Sequence, residues 1–347
     1  MTRESLNQVA VLHAPGEIRF REPVPASSPG PDEVKVRVHR VGVCGTDLHA
    51  YAGRQPFFDY PRVLGHELGV EVIEPGHAVQ GLHRGDRCAV EPYLHCGECP
   101  ACRAGRGNCC QRMRVLGVHA DGGLLGELTL PAEKLHAAHT LSYEQLALVE
   151  TLSIGAHAVS RAGVTANEPV LVVGAGPIGL GAALAARAAG GEVAVLDRSD
   201  TRLAFAAEQG ITRTVQTGDD ELDRLRRMYG GQLPAVVLDA TGHAGSMRRS
   251  FDRCEHAGRL VYIGLVREDL SFHDPDFHRK ELTLLASRNA LPADFDRVIG
   301  WLEDGVIDAE AWVTERVAPP ELPAAYDRWT TTGEAGIKAM VARSFQP

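Results

Sequence analysis

No stretch of this 347-residue chain reaches the roughly 18 consecutive apolar residues that a membrane-crossing helix needs. No membrane partner is expected. The first eight residues, Met1 to Gln8, are polar and lack the apolar core of a signal peptide, so the chain reads as cytoplasmic. Positive charge is in short supply: 36 Lys and Arg against 45 Asp and Glu leave a net charge of −9. A nucleic-acid binder needs a basic stripe, and this balance argues against one. No internal repeat and no long low-complexity linker is visible. What remains, 44% apolar and 23% charged residues, is ordinary globular composition, and the length suggests two domains.

Cysteine is sparse except in one place. Of eight cysteines, five fall between Cys96 and Cys110. In a reducing compartment such a cluster reads as metal-binding rather than disulfide-bonded. Cys96-x2-Cys99-x2-Cys102-x7-Cys110 can close a tetrahedral structural zinc site on a loop. An iron–sulfur cluster would also accept such spacing. Cys109 adjoins Cys110; Cys110 is preferred as the fourth ligand because Gly105 and Gly107 can turn the chain back across that gap. His95 reads as a loop histidine beside the cluster. Cys88 and Cys254 lie in apolar or helical surroundings and read as inert.

The first 150 residues are β-rich. Val9–Leu12, Ile18–Phe20, Val34–Val38, Val70–Ile73 and Arg87–Val90 are short runs punctuated by Pro, Gly and Asp. Val34 to Val38 alternates as a half-buried antiparallel strand should. Such a pattern suggests a barrel or sandwich. From about 153 to 289 strand-like and helix-like segments alternate, the mark of a parallel sheet flanked by helices. Beyond 290 come a helical pattern, Asp294–Glu303, and a strand-like segment at Lys338–Val341.

One stretch carries a ligand signature. Val170-Leu-Val-Val runs into Gly174-x-Gly176-Pro177-Ile178-Gly179, then an alanine-rich helical segment, then Val193–Leu196 closing at Asp197. Strand, glycine turn, helix, strand and acid together form a dinucleotide-binding unit. The helix start offers unpaired N–H groups to a pyrophosphate. Asp197 is placed to accept hydrogen bonds from the adenosine ribose hydroxyls, and its charge would oppose a 2′-phosphate. NAD is therefore favoured over NADP, although Arg198 follows directly and weakens that preference. Elsewhere, Cys44, His66, Glu67 and Glu150 supply thiolate, imidazole and carboxylate, the ligands zinc takes when one position stays open for substrate.

These residues resemble the zinc-dependent medium-chain dehydrogenase superfamily over nearly the full length. The resemblance rests on Gly42-x-Cys44-Gly-Thr-Asp47, Gly65-His66-Glu67, Gly85-Asp86-Arg87, the four-cysteine cluster, Asp121-Gly-Gly123 and Gly174-Ala-Gly-Pro-Ile-Gly179. Within it, Ala147-Leu-Val-Glu150-x-Leu-Ser-Ile-Gly155-x-His157 resembles the sorbitol dehydrogenase-like branch, which acts on polyols and sugar acids. The resemblance implies an α/β protein. Residues 1–152 with 290–347 would form a β-rich, chaperonin-like barrel that binds zinc and carries catalysis. Residues 153–289 would form a Rossmann domain, a doubly wound parallel sheet that binds NAD. Ligands of such sheets bind at the carboxyl ends of the strands.

The resemblance also implies roles. Cys44, His66 and Glu67 would hold a catalytic zinc ion, with Glu150 binding it directly or through water. Cys96, Cys99, Cys102 and Cys110 would hold a second, structural zinc. Thr46 would relay the substrate proton and His49 would pass it to solvent. Gly174, Gly176, Pro177, Ile178, Gly179, Asp197 and Arg198 would form the coenzyme site. The expected reaction is hydride transfer between a secondary alcohol and NAD, with a polyol, sugar or sugar acid preferred over L-threonine or a simple secondary alcohol. Two other classes are weighed. A zinc-free quinone reductase should lack Cys44, His66 and the cysteine cluster; a non-catalytic NAD-sensing zinc protein would use only the structural metal. Thr46 could instead cap a helix, and Tyr51, Phe57 and Phe58 could line a substrate pocket or a core. A homodimer or homotetramer is expected from the family habit of pairing coenzyme domains edge to edge.

Overall fold

The structure, a computed structural model, describes residues 8–56, 58–332 and 336–343; Phe57 lies outside them. Its elements in the first part of the chain are β1 (Val9–Ala14), β2 (Glu17–Arg21), β3 (Glu33–Gly42), α1 (Gly45–Tyr51), β4 (Arg62–Val63), β5 (Glu67–Pro75), β6 (Arg87–Val90), β7 (Tyr93–Leu94), α2 (Pro100–Arg103), β8 (Arg114–Val115), β9 (Glu127–Pro131) and β10 (Leu135–Ala137). A 20-residue helix, α3 (Tyr143–Ala162), follows. Then come β11 (Pro169–Val173), α4 (Pro177–Ala188), β12 (Glu192–Asp197), α5 (Asp200–Glu208), β13 (Arg213–Gln216), α6 (Glu221–Met228), β14 (Val236–Asp239), α7 (Ala244–Arg249), β15 (Arg259–Tyr262), α8 (Asp274–Arg279) and β16 (Thr283–Ala286). The tail adds α9 (Pro292–Glu303), β17 (Val313–Val317), α10 (Leu322–Thr332) and β18 (Lys338–Ala342).

The chain forms two compact units, Met1–Glu150 with Leu291–Pro347, and Thr151–Ala290. In the first unit, β3 is the hub. Val34, Val36 and Val38 turn inward while Arg37 faces solvent, so the alternation in sequence becomes two faces of a strand. β3 pairs antiparallel with β5 along its length, with β9 over Glu33–Arg37 and with β18 over Arg40–Gly42. The sheet order is β10-β6-β5-β3-β18-β17, with β9 alongside β3. The register sets Gly42 opposite Glu67 on one side and opposite Met340 on the other. Three distant stretches of sequence therefore meet at the end of β3.

The second unit is a six-stranded, all-parallel sheet in the order β13-β12-β11-β14-β15-β16. Its central strands are buried on both faces, as continuous apolar runs such as Val170–Val173 dictate. Strand order reverses between β11 and β14, which is where a doubly wound sheet opens a crevice at its carboxyl edge. Among the described residues no helix is long and apolar enough to cross a membrane.

In the first unit the start of α3 is tied to the sheet by charge. Glu144 accepts from Arg316 Nη2 at 2.7 Å and Nε at 2.9 Å, and from Arg40 Nε at 3.3 Å. Burial pushes the Glu144 carboxyl up, but the Arg316 and Arg40 guanidiniums outweigh it and hold it below its ordinary value. A depressed carboxyl pKa gives stability that is present above the unfolded value, near 4.3, and lost as pH falls through the folded value. Glu144→Gln should thus cost about 1 kcal/mol at pH 7, since Arg316 is half-exposed. Urea denaturation should show that gap close as pH falls from 5 toward 3; a gap that stays constant would contradict the assignment.

Candidate active site and metal centres

The turn that leaves β3 builds the first centre. Cys44 is the N-cap of α1: its Sγ accepts from the Thr46 N–H at 3.4 Å, and its own N–H donates to Asp47 Oδ2 at 2.9 Å. Thr46 is therefore not the cap, and the acid that completes the reciprocal cap is Asp47. This cap fixes Cys44 at the mouth of the helix. His66 and Glu67 arrive at the start of β5. One ligand atom each from Cys44, His66 and Glu67 lies within 4.8 Å of the others.

These three residues fit a divalent cation, on three observations. Glu67 is 1% exposed, yet its Oε2 has no hydrogen-bond partner. A buried carboxylate oxygen left so would cost several kcal/mol, roughly, unless a cation met it. His66 Nδ1 lies 3.7 Å from Asp47 Oδ1, which leaves Nε2 as the nitrogen for a metal. Finally, the neighbourhood is crowded with acids. Burial alone would lower the His66 pKa, but Asp47 and Cys44 outweigh it and hold it well above its ordinary value. Burial pushes the Asp47 and Glu150 carboxyls up. Lys338, delivered by β18, donates to Glu67 Oε1 at 2.5 Å and to the Val43 carbonyl at 3.3 Å.

Glu150 stands outside the three-residue group. It is buried, and its Oε1 accepts from the Tyr93 hydroxyl at 2.5 Å. Burial holds the Tyr93 phenol well above its ordinary pKa, so it stays protonated and donates. Thr46 is half-buried and His49 exposed, three residues apart on α1 and so on neighbouring positions of one face. Tyr51 belongs to the core: it is 4% exposed, packs on Tyr326 and donates to Asp327 Oδ1 at 2.6 Å. Phe58 packs edge-on against Tyr60.

The second centre is the cysteine lobe. Cys96, Cys99, Cys102 and Cys110 bring their sulfurs within 4.8 Å of one another, and Cys109 is not of the group. Backbone N–H groups aim at the sulfurs: Cys96 and Arg112 donate to Cys110 Sγ, each at 3.3 Å. Amides of Glu98 and Cys99 pull the Cys96 thiol down to about 6, ready to ligate as thiolate. The lobe is anchored through His95, whose Nδ1 lies 2.8 Å from Lys134 Nζ, which in turn lies 2.7 Å from Glu91 Oε1. Cys88 and Cys254 are buried, and burial pushes both thiols up to about 12.

The third element is the glycine turn of the second unit. Gly176 is the N-cap of α4 and Pro177 its first residue, a position where a missing N–H costs nothing. A Cβ on Gly179 would stand 1.7 Å from the Gly174 carbonyl oxygen, so no other residue fits there. A Cβ on Gly176 would meet nothing nearer than Arg202 Nη1 at 4.0 Å, and that space is open for a phosphate beside a guanidinium. Ile178 is half-buried and Arg198 exposed. Asp197, at the end of β12, accepts from the Ala175 N–H at 2.6 Å and the Ser199 N–H at 2.8 Å. Asp197 thus shapes the turn itself as well as standing beside it.

Asp47, Tyr93, Arg202 and Lys338 are site residues that sequence reasoning missed. Lys338 left one signal, a charge opening the apolar strand Lys-Ala-Met-Val. Asp47 stood in the Cys44-Gly-Thr-Asp47 motif without an assigned role, and Tyr93 and Arg202 gave no signal, because each acts through a partner set by the fold.

The comparisons with known proteins agree with this geometry. Residues 30–140 match the alcohol dehydrogenase GroES-like domain, and residues 177–304 match the zinc-binding dehydrogenase domain. L-galactonate-5-dehydrogenase of Escherichia coli K12 is 40% identical over 339 residues, covering 97% of this chain and 99% of that protein. An alcohol dehydrogenase (rspB) of Escherichia coli CFT073, solved with NADH, superposes with a TM-score of 0.88 at 29% identity, covering 96% and 98% of the two chains. A zinc-binding dehydrogenase of Sinorhizobium meliloti 1021, solved with NADP, gives 0.87 at 30% identity, covering 96% and 98%. The β-rich first unit is thus the GroES-like barrel and the second the Rossmann sheet. Sequence motifs, fold and relatives converge: this chain belongs to the zinc-dependent medium-chain alcohol and polyol dehydrogenases, enzymes that use zinc and a nicotinamide dinucleotide.

Proposed function

We propose that the chain oxidises one secondary hydroxyl of a sugar acid or polyol, with NAD as hydride acceptor. The observation that carries this reading is the meeting of Cys44, His66 and the unpartnered Glu67 Oε2 in one buried spot. The 40% identical relative, which acts on L-galactonate by name, supports a sugar-acid substrate.

When bound, zinc supplies Lewis-acid polarisation of the substrate hydroxyl and NAD accepts the hydride. Cys44, His66 and Glu67 hold the metal from within the first unit. The cysteine lobe, Cys96, Cys99, Cys102 and Cys110, holds a second zinc that shapes the loop. Asp47 Oδ1, 3.7 Å from His66 Nδ1, sets the charge that this side of the ring faces. Thr46 takes the hydroxyl proton and His49, which is exposed, hands it to solvent. Glu150, fixed by Tyr93, would hold the metal directly or through water. The glycine turn and the start of α4 hold the pyrophosphate, and the Asp197 charge disfavours a 2′-phosphate. Eight cysteines without a disulfide suit a cytoplasmic enzyme.

Among the described residues β16 ends the parallel sheet paired with β15 alone, and it leaves Leu284 38% exposed. An open, partly apolar edge is a pairing surface, and we assign it to a second copy of this chain. Light scattering should give a dimer or tetramer; a monomer at micromolar concentration would contradict the assignment.

The substrate reading is tested by a panel of L-galactonate, other aldonates, sorbitol, L-threonine and 2-propanol, followed by coenzyme absorbance with NAD and with NADP. An aldonate or polyol should give the highest kcat/KM, and NAD should exceed NADP by about tenfold or more. L-threonine as the best substrate, or a preference for NADP, would overturn the respective part. Thr46→Val should lower kcat by about 100-fold with zinc content unchanged.

A further inference from the structure

We infer that Lys338 is a positioning residue for the metal centre: it pins one oxygen of Glu67 so that the other is presented to the metal. The inference rests on the reading of Cys44, His66 and Glu67 as metal ligands.

Four observations carry it. Glu67 Oε1 takes the Lys338 ammonium at 2.5 Å, and Oε2 has no partner at all. A carboxylate with one oxygen held this way can offer a metal only a single oxygen. Second, Lys338 bonds both walls of the centre. Its Nζ also donates to the carbonyl of Val43, the residue before Cys44, at 3.3 Å. One ammonium thus ties the strand that brings Glu67 to the turn that brings Cys44.

Third, the pair is sealed from water: the two side chains are 2% and 1% exposed. A buried lysine must be held by its partners in a set geometry, whereas an exposed one would wander. Fourth, the backbone leaves Glu67 little latitude. A Cβ on Gly42 would stand 2.0 Å from Glu67 Oε2, so the carboxylate lies flat against bare backbone. β18 fixes the lysine itself, since Met340 pairs with Gly42 and the Val43 N–H donates to the Ala339 carbonyl at 3.0 Å. The last strand of the chain is therefore part of the metal site without supplying a ligand.

Without the ammonium, Glu67 would stand as a bare carboxylate beside the Cys44 thiolate, with Glu150 and Asp47 close by. Repulsion would then swing it off the metal, or it would close on the metal with both oxygens. Either change alters how tightly the metal is held and the field it experiences.

The test uses the full-length holoprotein. Zinc release to a chromogenic chelator is followed for the wild type, Lys338→Met, Lys338→Gln and Lys338→Arg. The cysteine-lobe zinc serves as the internal control for folding. The two neutral variants should release one zinc at least about tenfold faster while the lobe zinc leaves at the wild-type rate, and Arg should restore most of the retention. With Co2+ at the Cys44 centre, their visible absorption bands should shift. Should Met fold poorly, as loss of the lobe zinc would reveal, Gln carries the comparison. Unchanged release and unchanged Co2+ bands in the neutral variant that keeps its lobe zinc would overturn the inference and leave Lys338 as a mere charge partner. A wild-type chain that holds only one zinc would instead sink the metal-site reading beneath it.

Discussion

Buried negative charge is the constraint on which the first unit depends. Cys44, Asp47, Glu67 and Glu150 converge in a region where each carboxyl is 3% exposed or less. Taking a carboxylate from water into such surroundings is expensive unless a cation or several donors meet it. Tyr93, Lys338 and backbone amides satisfy part of the demand. Glu67 Oε2 remains without a partner, and Asp47 Oδ1 has only His66 Nδ1 nearby, at 3.7 Å. In the proposed reading a divalent ion would supply what is missing, at the point where the register of β3 against β5 and β18 brings Cys44, His66, Glu67 and Lys338 together.

The second unit answers a different problem, the binding of a phosphate-rich ligand at a glycine turn and a helix start. Glycine at 179 lets α4 press against the turn, and Gly176 leaves its surroundings open beside Arg202. Asp197 gives the turn its shape by accepting the Ala175 N–H, so one carboxylate ties the turn after β11 to the end of β12, and in the proposed reading it would also set the charge at the coenzyme's ribose end. A substitution at Asp197 would therefore disturb turn geometry as well as coenzyme choice. The acid that closes β14 works in the same manner: Asp239 collects Thr241, Ser246 and Ser250 hydroxyls and stiffens the neighbouring carboxyl-edge loop.

Much of this was legible in the sequence, for physical reasons. Valine alternating with Lys35 and Arg37 announces a strand with one wet face, and continuous apolar runs such as Val170–Val173 announce a strand with none. The cysteine lobe is local, so its spacing carries nearly all of its geometry. Helix α3 was hidden because it is buried on almost every side, from Leu146 to Val159, and so has no polar stripe to set a 3.6-residue rhythm. Lys338 was hidden for the opposite reason: its partner Glu67 is 271 residues away, and only strand pairing brings them together. Thr46 is read as a proton relay with a helix cap as the alternative, and the chain gives the cap to Cys44 and Asp47.

Metal analysis of the purified chain tests the central claim most directly. The wild type should hold close to two zinc ions, and Cys44→Ser should hold close to one, with the four-cysteine lobe still loaded. A wild type that holds one zinc, unchanged by Cys44→Ser, would show that the buried acids are satisfied without a metal and would contradict the account.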